Sequence, residues 1–281
     1  MKNSASRGAV VPIGFILVIS VIAFGLYLFQ VTAVPAANKR AELQTQDQVR
    51  TQFHQLDAAI FRAGTDNITT PHLIDANTNY LFQTSRTSVE SSQIRTNGNA
   101  DVTIDNAVSS NSSDDFDGVA ITYTTTFVNY LPSYAYYNNP NQFWNENGLV
   151  YYETPQGKTV LSESQTIVSG KQITIPLLAG DVSSGGRGQF PLNIAPRPEA
   201  YKSVTVSDDS GAPITISLDT RVPEGQWNTL LESEKDINGG YVTDITYTNN
   251  PSSLNRVNIE LETGQDYKIK IFRTEIIDSV R

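Results

Sequence analysis

The chain has 281 residues, with 29 acidic against 20 basic side chains, a net charge of −9 and no cysteine. The acidic balance argues against a basic surface for nucleic acid or anionic lipid. The missing thiols exclude disulfides, thiolate metal sites and cysteine nucleophiles, and with only 17% of residues charged, Ser, Thr, Asn and Gln carry the solubility, as suits an exported protein.

From Ala9 to Val34 no side chain is charged, and Phe15 to Phe29 is almost wholly apolar. A helix of about 20 such residues crosses the hydrocarbon core of a bilayer. Lys2 and Arg7 precede it, and Lys39, Arg40 and Arg50 follow it. The very short tail in front suits a signal anchor with its N-terminus inside and the large domain outside the cell. A cleaved secretory leader has an apolar region of about 7–15 residues and a small-x-small site. Val34-Pro35-Ala36 offers a weak site of that kind, but the apolar run is too long.

Ser6-Arg7-Gly8-Ala9-Val10-Val11-Pro12-Ile13-Gly14 resembles the processing region of archaeal type IV pilin-like and archaellin-like proteins, haloarchaeal ones especially. The resemblance implies a cut after Gly8 that leaves Ala9 as the new N-terminus. The wider segment, from Val11 through Tyr27-Leu28-Phe29-Gln30 to Val34-Pro35-Ala36-Ala37-Asn38, is similar to a group of haloarchaeal membrane-anchored surface proteins. That likeness continues through Tyr130-Leu131-Pro132-Ser133-Tyr134 and Glu146-Asn147-Gly148-Leu149-Val150-Tyr151. Two features depart from the pilin pattern. Ile13 stands at the fifth mature position, where bacterial pilins usually carry Glu, and Pro35 is expected to interrupt the long helix around which filaments pack. Residues 1–34 are thus expected to form a leader and transmembrane helix.

Residues 35–64 are expected to form a helical stalk, being rich in Ala, Gln, Glu, Leu and Arg. Asn38 to Gln48 is polar nearly all round and reads as solvated. Val49, Phe53, Leu56 and Ile60 then form one apolar stripe. The stripe is expected to dock on the β domain of the same chain, with a short coiled-coil contact between subunits as the alternative. Gly64 is expected to end the helix.

From residue 65 to 281 the period changes to two. Val119, Ile121, Tyr123 and Phe127 share one face. So do Ile173, Ile175 and Leu177; Ile214, Ile216 and Leu218; Val257, Ile259 and Leu261; and Tyr267, Ile269 and Ile271. Polar residues between them predict strands with one dry and one wet face, hence antiparallel sheets. The expected fold is mainly β, an antiparallel sandwich of about nine to twelve strands. Ser169-Gly170 predicts a tight hairpin, Asn238-Gly239-Gly240 a turn into a strand, and Pro223 the start of a short helix facing the core with Trp227, Leu230 and Leu231. Asn97 to Asp117 reads as loop or weak strand, and Ser183 to Pro198, with its glycines and prolines, as a long connection.

Motifs of chemistry are few. Asp114, Asp115, Asp117 and Gly118 suggest a calcium loop, but the twelfth ligand position falls on Thr124 and the first on Ser113, so an acidic turn is expected instead. Gly180 to Gly188 lacks the Gly-Lys-Ser/Thr of a phosphate loop. The only histidines, His54 and His72, have no partner spacing for a metal or a catalytic triad. No catalytic residue, cofactor or metal is assigned. Asn67-Ile68-Thr69 and Asn111-Ser112-Ser113 match the N-glycosylation triplet. Tyr134, Tyr136, Tyr137 and Trp144 lie in an aromatic, Asn-rich stretch that suits contact with sugars or proteins, with core filling as the alternative.

The expectation is a non-enzymatic, membrane-anchored, pilin-like surface protein. It would hold the bilayer through its N-terminal helix and present the β domain to copies of itself or to other surface proteins, not to nucleic acid. The alternatives are a filament subunit formed after leader cleavage and an exported carbohydrate-active enzyme.

Overall fold

A computed structural model describes residues 10–81, 92–111, 114–163, 165–186, 188–250 and 254–278. Strands hold 47% of the chain and helices 27%, so the protein is mainly β. The predicted cut between Gly8 and Ala9 lies outside the described residues.

The chain opens with α1 (Val10–Leu28), a π-helical turn (Phe29–Ala33) and α2 (Val34–Asp66). These run on as one helix, which corrects the interruption expected at Pro35. Proline has no N–H, and its ring collides with the carbonyl four residues back. The π turn widens the helix just before it, so that the Val34 amide donates to the Phe29 carbonyl, and Pro35 enters as an early residue of α2. In the apolar part, the Ser20 and Thr32 hydroxyls donate back to the carbonyls of Ile16 and Leu28, which leaves neither hydroxyl unpaired.

The strands that follow are β1 (Thr70–Asp75), β2 (Ser92–Asp105), β3 (Ala107–Ser109), β4 (Ile121–Leu131), β5 (Gln142–Glu146), β6 (Leu149–Thr154), β7 (Gly157–Val160) and β8 (Val168–Ser169). Then come β9 (Gln172–Ala179), β10 (Ser183–Gly186), β11 (Gln189–Asp208), β12 (Thr215–Thr220), helix α3 (Glu224–Leu230), β13 (Val242–Thr248), β14 (Asn255–Leu261) and β15 (Tyr267–Asp278). They form two curled sheets. One has the order β1-β11-β15-β9-β8 with β3 beside β11. The other runs β13-β14-β12-β2-β4-β5-β6-β7 with β10 beside β2.

Pairing is antiparallel except between β9 and β15, which run parallel with Ile173 beside Ile269 and Ile175 beside Ile271. This corrects the all-antiparallel expectation, because alternation reports which face is dry and says nothing of direction. The long chain between the two strands leaves room for the crossover that parallel pairing requires.

Two cores result. One lies among residues of both sheets and contains all five predicted alternations, from Phe127 through Ile173, Ile216 and Ile259 to Ile269, together with Trp227 and Leu231 of the α3 region. Val119 is the exception: it sits ahead of β4 and is 66% exposed. The second core joins α2 to both sheets, with Val49, Phe53, Leu56 and Ile60 against Ile74, Ile94, Tyr130, Phe143, Phe190 and Ile276.

The segment read as loop or weak strand and the one read as a long connection both hold strands. Within Asn97–Asp117, β2 continues to Asp105 because Ala100, Val102 and Ile104 alternate into the core, and Gly98, at φ 77°, takes up a bulge. Within Ser183–Pro198, β11 pairs through Pro191 with β1 and through Pro196 with β15, and Pro198 falls where the register shifts between Arg197 and Lys202, a place where a missing amide breaks no ladder bond.

The helix also runs past Gly64 to Asp66 and ends on Asn67 in the left-handed conformation, which Asn tolerates better than most residues. Gly64 instead permits close packing: a Cβ there would stand 1.9 Å from Cδ2 of Phe272. In an exposed helix Gly→Ala gains about 1 kcal/mol. Here overpacking of about 1–3 kcal/mol opposes that gain, so Gly64→Ala is expected to lower stability. Urea unfolding of the detergent-solubilised chain measures it, and Phe272→Leu in the same chain is expected to recover part of the loss.

Candidate functional site

The face of α2 that meets the β domain begins well before the apolar stripe. Asn38, Glu42, Thr45 and Gln46 are buried with Val49, Phe53, Leu56 and Ile60, and the spacings of three and four continue unbroken. This corrects the solvated reading of Asn38 to Gln48. The segment is a docked helix face with polar chemistry.

Each polar side chain meets a loop that has no sheet partner. The Leu81 amide donates to Asn38 Oδ1 at 2.7 Å. Glu42 accepts from the Tyr80 hydroxyl at 2.8 Å, from the Ala135 amide at 2.7 Å and, at Oε2, from the Tyr136 amide at 3.0 Å. The Thr45 hydroxyl lies 3.2 Å from the Asn77 carbonyl, and Gln46 Oε1 accepts from the Asn141 amide at 3.4 Å. Further along, Gln52 Oε1 accepts from the Asp75 amide, its carbonyl accepts from His72 Nε2, and Asp57 accepts from Asn145. Buried backbone groups need partners, and here the helix side chains take the role that a neighbouring strand plays elsewhere. Glu42, which accepts from three groups on two loops, is the centre of the clamp.

The Tyr-rich loop between β4 and β5 is held by that centre. Tyr136 packs on Tyr80 with ring centroids 5.9 Å apart, and Lys39 Nζ lies 5.8 Å from the Tyr137 ring. Burial raises the Tyr80 phenol, and the Glu42 carboxylate adds to the shift. Burial and the Tyr130 phenol raise Tyr134. Both phenols therefore stay neutral, and that of Tyr80 donates to Glu42. Tyr134, Tyr136 and Tyr137, expected as a contact surface, thus lie together and half-buried at the end of α2 nearest the apolar helix.

Trp144 does not join them. It is 2% exposed, stacked on Tyr151 at 6.1 Å and covered by the Arg221 guanidinium at 4.4 Å. It fills core and presents no contact surface. The same region holds Glu146, fully buried, which accepts from the Tyr151 and Thr220 hydroxyls and from the Arg221 amide. Burial raises its carboxyl above the usual range against these bonds. Trp227 Nε1 donates in turn to Thr220. The cluster pins the β5–β6 hairpin to β12 and α3. Neither glutamate had a motif to mark it. Glu42 carried one signal, its place on the helical stripe.

The remaining candidates stand apart. Asp114 accepts from Ser109, Asp115 pairs with Lys202, and Asp117 accepts from the Val119 amide, so the three carboxylates serve different partners in an acidic turn. Among the described residues no group of His, Asp and Glu converges as a metal site. His54 and His72 lie on α2 and β1. Asn67 and Asn111 are exposed. A cavity of about 390 Å³ is lined by Asn99, Asp219, Thr248, Asn250, Leu254 and Arg256, and its one carboxylate is paired with Arg256 at 2.8 Å. No family model matches this chain, nor does any curated protein or solved structure.

Two outcomes follow from the clamp. Glu42→Ala leaves three part-buried donors unpaired, the Tyr80 hydroxyl and the Ala135 and Tyr136 amides, at up to about 1–3 kcal/mol each for those that water cannot reach, and is expected to lower stability and open the loop at 132–141 to protease, read by unfolding and limited proteolysis. His72 is held below its ordinary value of 6.5, chiefly by burial against the opposing bond to Gln52. Its protonation therefore disfavours the fold: stability is complete above that value and falls as pH drops through it. The melting temperature of wild type is expected to fall relative to His72→Gln over that window.

Proposed function

We propose that the chain is a membrane-anchored, pilin-like surface protein whose work is structural or adhesive and not enzymatic. One observation carries this reading. The apolar helix, 0% buried against the rest of the molecule, runs without a break into a helix whose inner face is clamped along the β domain. A span with no protein partner calls for lipid or other helices, and the clamp fixes what it carries. The core shared by the two sheets favours a β-sandwich. The abundance of neutral polar residues and the exposed asparagines of the two glycosylation triplets, Asn67 and Asn111, favour an extracellular domain.

A filament subunit is the second reading, favoured by the continuity of the helix through Pro35. In that arrangement α1 would bury itself against the α1 helices of neighbouring copies. An exported glycosidase has less support. That chemistry needs two facing carboxyl groups, one of them raised by burial. Asp219 is engaged by Arg256, and Asp236 and Asp244 beside a second cavity are both exposed.

The test is the mature N-terminus and membrane partition of the full chain in its native host. The proposal expects protein that resists carbonate extraction and dissolves in detergent. Soluble protein beginning near Ala37 would overturn it. A terminus at Ala9 with filaments under the electron microscope would decide for the second reading.

A further inference from the structure

We propose that the edge of the β domain beside the helix is a membrane-seating surface, in which Leu81 and Tyr137 rest with Lys39 in the headgroup layer of the bilayer, and Tyr136 and Arg40 lie just above it. The inference rests on the anchor reading above and adds to it a second lipid contact, made by the domain.

The vertical position follows from the helix. Phe15 to Val34 spans about 30 Å at 1.5 Å per residue, the thickness of the hydrocarbon core. Each headgroup layer adds about 5–8 Å. Asn38 stands about 6 Å above Val34 along the axis and Lys39 about 7.5 Å, so both fall within that layer. Val34, the last residue of the apolar run, is only 9% exposed, so protein already covers the helix there.

What the domain offers at that height suits an interface. Asn38 holds the Leu81 amide, so Leu81 is fixed at headgroup depth, with its side chain 53% exposed. Tyr136 is tied to Glu42 one turn higher, and Tyr137 lies against Lys39. Tyrosine places an apolar ring and a polar tip across the boundary between lipid and water, and the exposed Lys39 and Arg40 meet lipid phosphates. An exposed leucine, a tyrosine ring and a lysine at one depth, with Tyr136 one turn above them, match a bilayer surface better than bulk water. The net charge of −9 disfavours general attraction to anionic lipid, so seating depends on this edge and on the tether beside it.

A chain without cysteine permits a direct test. Ile22→Cys, Leu81→Cys and Ile237→Cys are made singly in the full chain, spin-labelled and reconstituted into vesicles of phosphatidylcholine and phosphatidylglycerol. Position 237 is 86% exposed and close to β13, at the sheet edge opposite β7. Collision with oxygen, which partitions into lipid, is compared with collision with a water-soluble nickel chelate. The expected order is 22 deepest, 81 at the interface with an oxygen-to-nickel ratio several-fold above that at 237, and 237 in water. A label at 81 that matches 237 while 22 is in lipid would overturn the seating and leave the anchor standing. A label at 22 open to nickel would sink both. Protection at 81 with spin–spin broadening that vanishes on dilution with unlabelled protein would assign the edge to a second copy and overturn the proposal.

Discussion

The docking of one face of α2 against both sheets is the constraint on which the rest of the structure depends. The second core exists only because that helix closes it, with Phe53 against Tyr130 and Phe143 and Gly64 against Phe272. Its polar half holds two loops that have no ladder of their own. Removing the helix would expose an apolar trough on the sheets and leave the loop amides at Leu81, Ala135 and Tyr136 without acceptors. The β domain is therefore continuous with the apolar helix, and whatever holds that helix also holds the domain's orientation.

The π turn at Phe29–Ala33 belongs to the same constraint. A proline kink at residue 35 would change the direction of α2 relative to α1 and swing the domain away from the axis. Widening the helix by one residue just before the proline removes both the missing donor and the ring collision. It also shifts the angular phase of the helix at the end of the apolar run, where Val34 and Asn38 first meet the domain. Small adjustments here translate into large displacements at the far end of the sheets, so this turn is where orientation is set.

Much of the domain was legible from alternation, because Ile173, Ile216, Ile259 and Ile269 each sit in strands with one dry face. The misses have physical causes. Ala100, Val102 and Ile104 alternate as well as the others do, but Asn and Asp between them resemble a loop, and the bulge at Gly98 breaks the period. The prolines of β11 read as a connection because a strand's tolerance for proline depends on register, which only the partner strand determines. Trp144 looked available for contact because composition cannot tell a buried aromatic from an exposed one. The clamp was hidden for another reason: hydropathy scores Asn38, Glu42 and Gln46 as solvent-facing, and only their spacing, shared with Val49 and Phe53, places them on the docked face. The buried Glu146 left no trace of that kind, since its partners Tyr151 and Thr220 meet it only through tertiary packing.

The polarity of that first stretch of α2 serves a purpose that apolar docking could not. Had Asn38, Glu42 and Gln46 been leucines, the hydrophobic stripe would run from Phe15 to Ile60 with no mark where the bilayer ends. A helix of that kind can slide or tilt to bury more of itself, at a cost of only fractions of a kcal/mol per ångström of mismatch. Side chains that need hydrogen-bond partners cannot follow it into hydrocarbon without losing several kcal/mol each. At residue 38 the helix face stops being compatible with lipid while remaining complementary to the domain. On the proposed anchoring, the same residues set both the membrane boundary and the docking surface, and the height of the β domain above the bilayer would follow from the point along α2 at which apolar side chains give way to hydrogen-bonding ones.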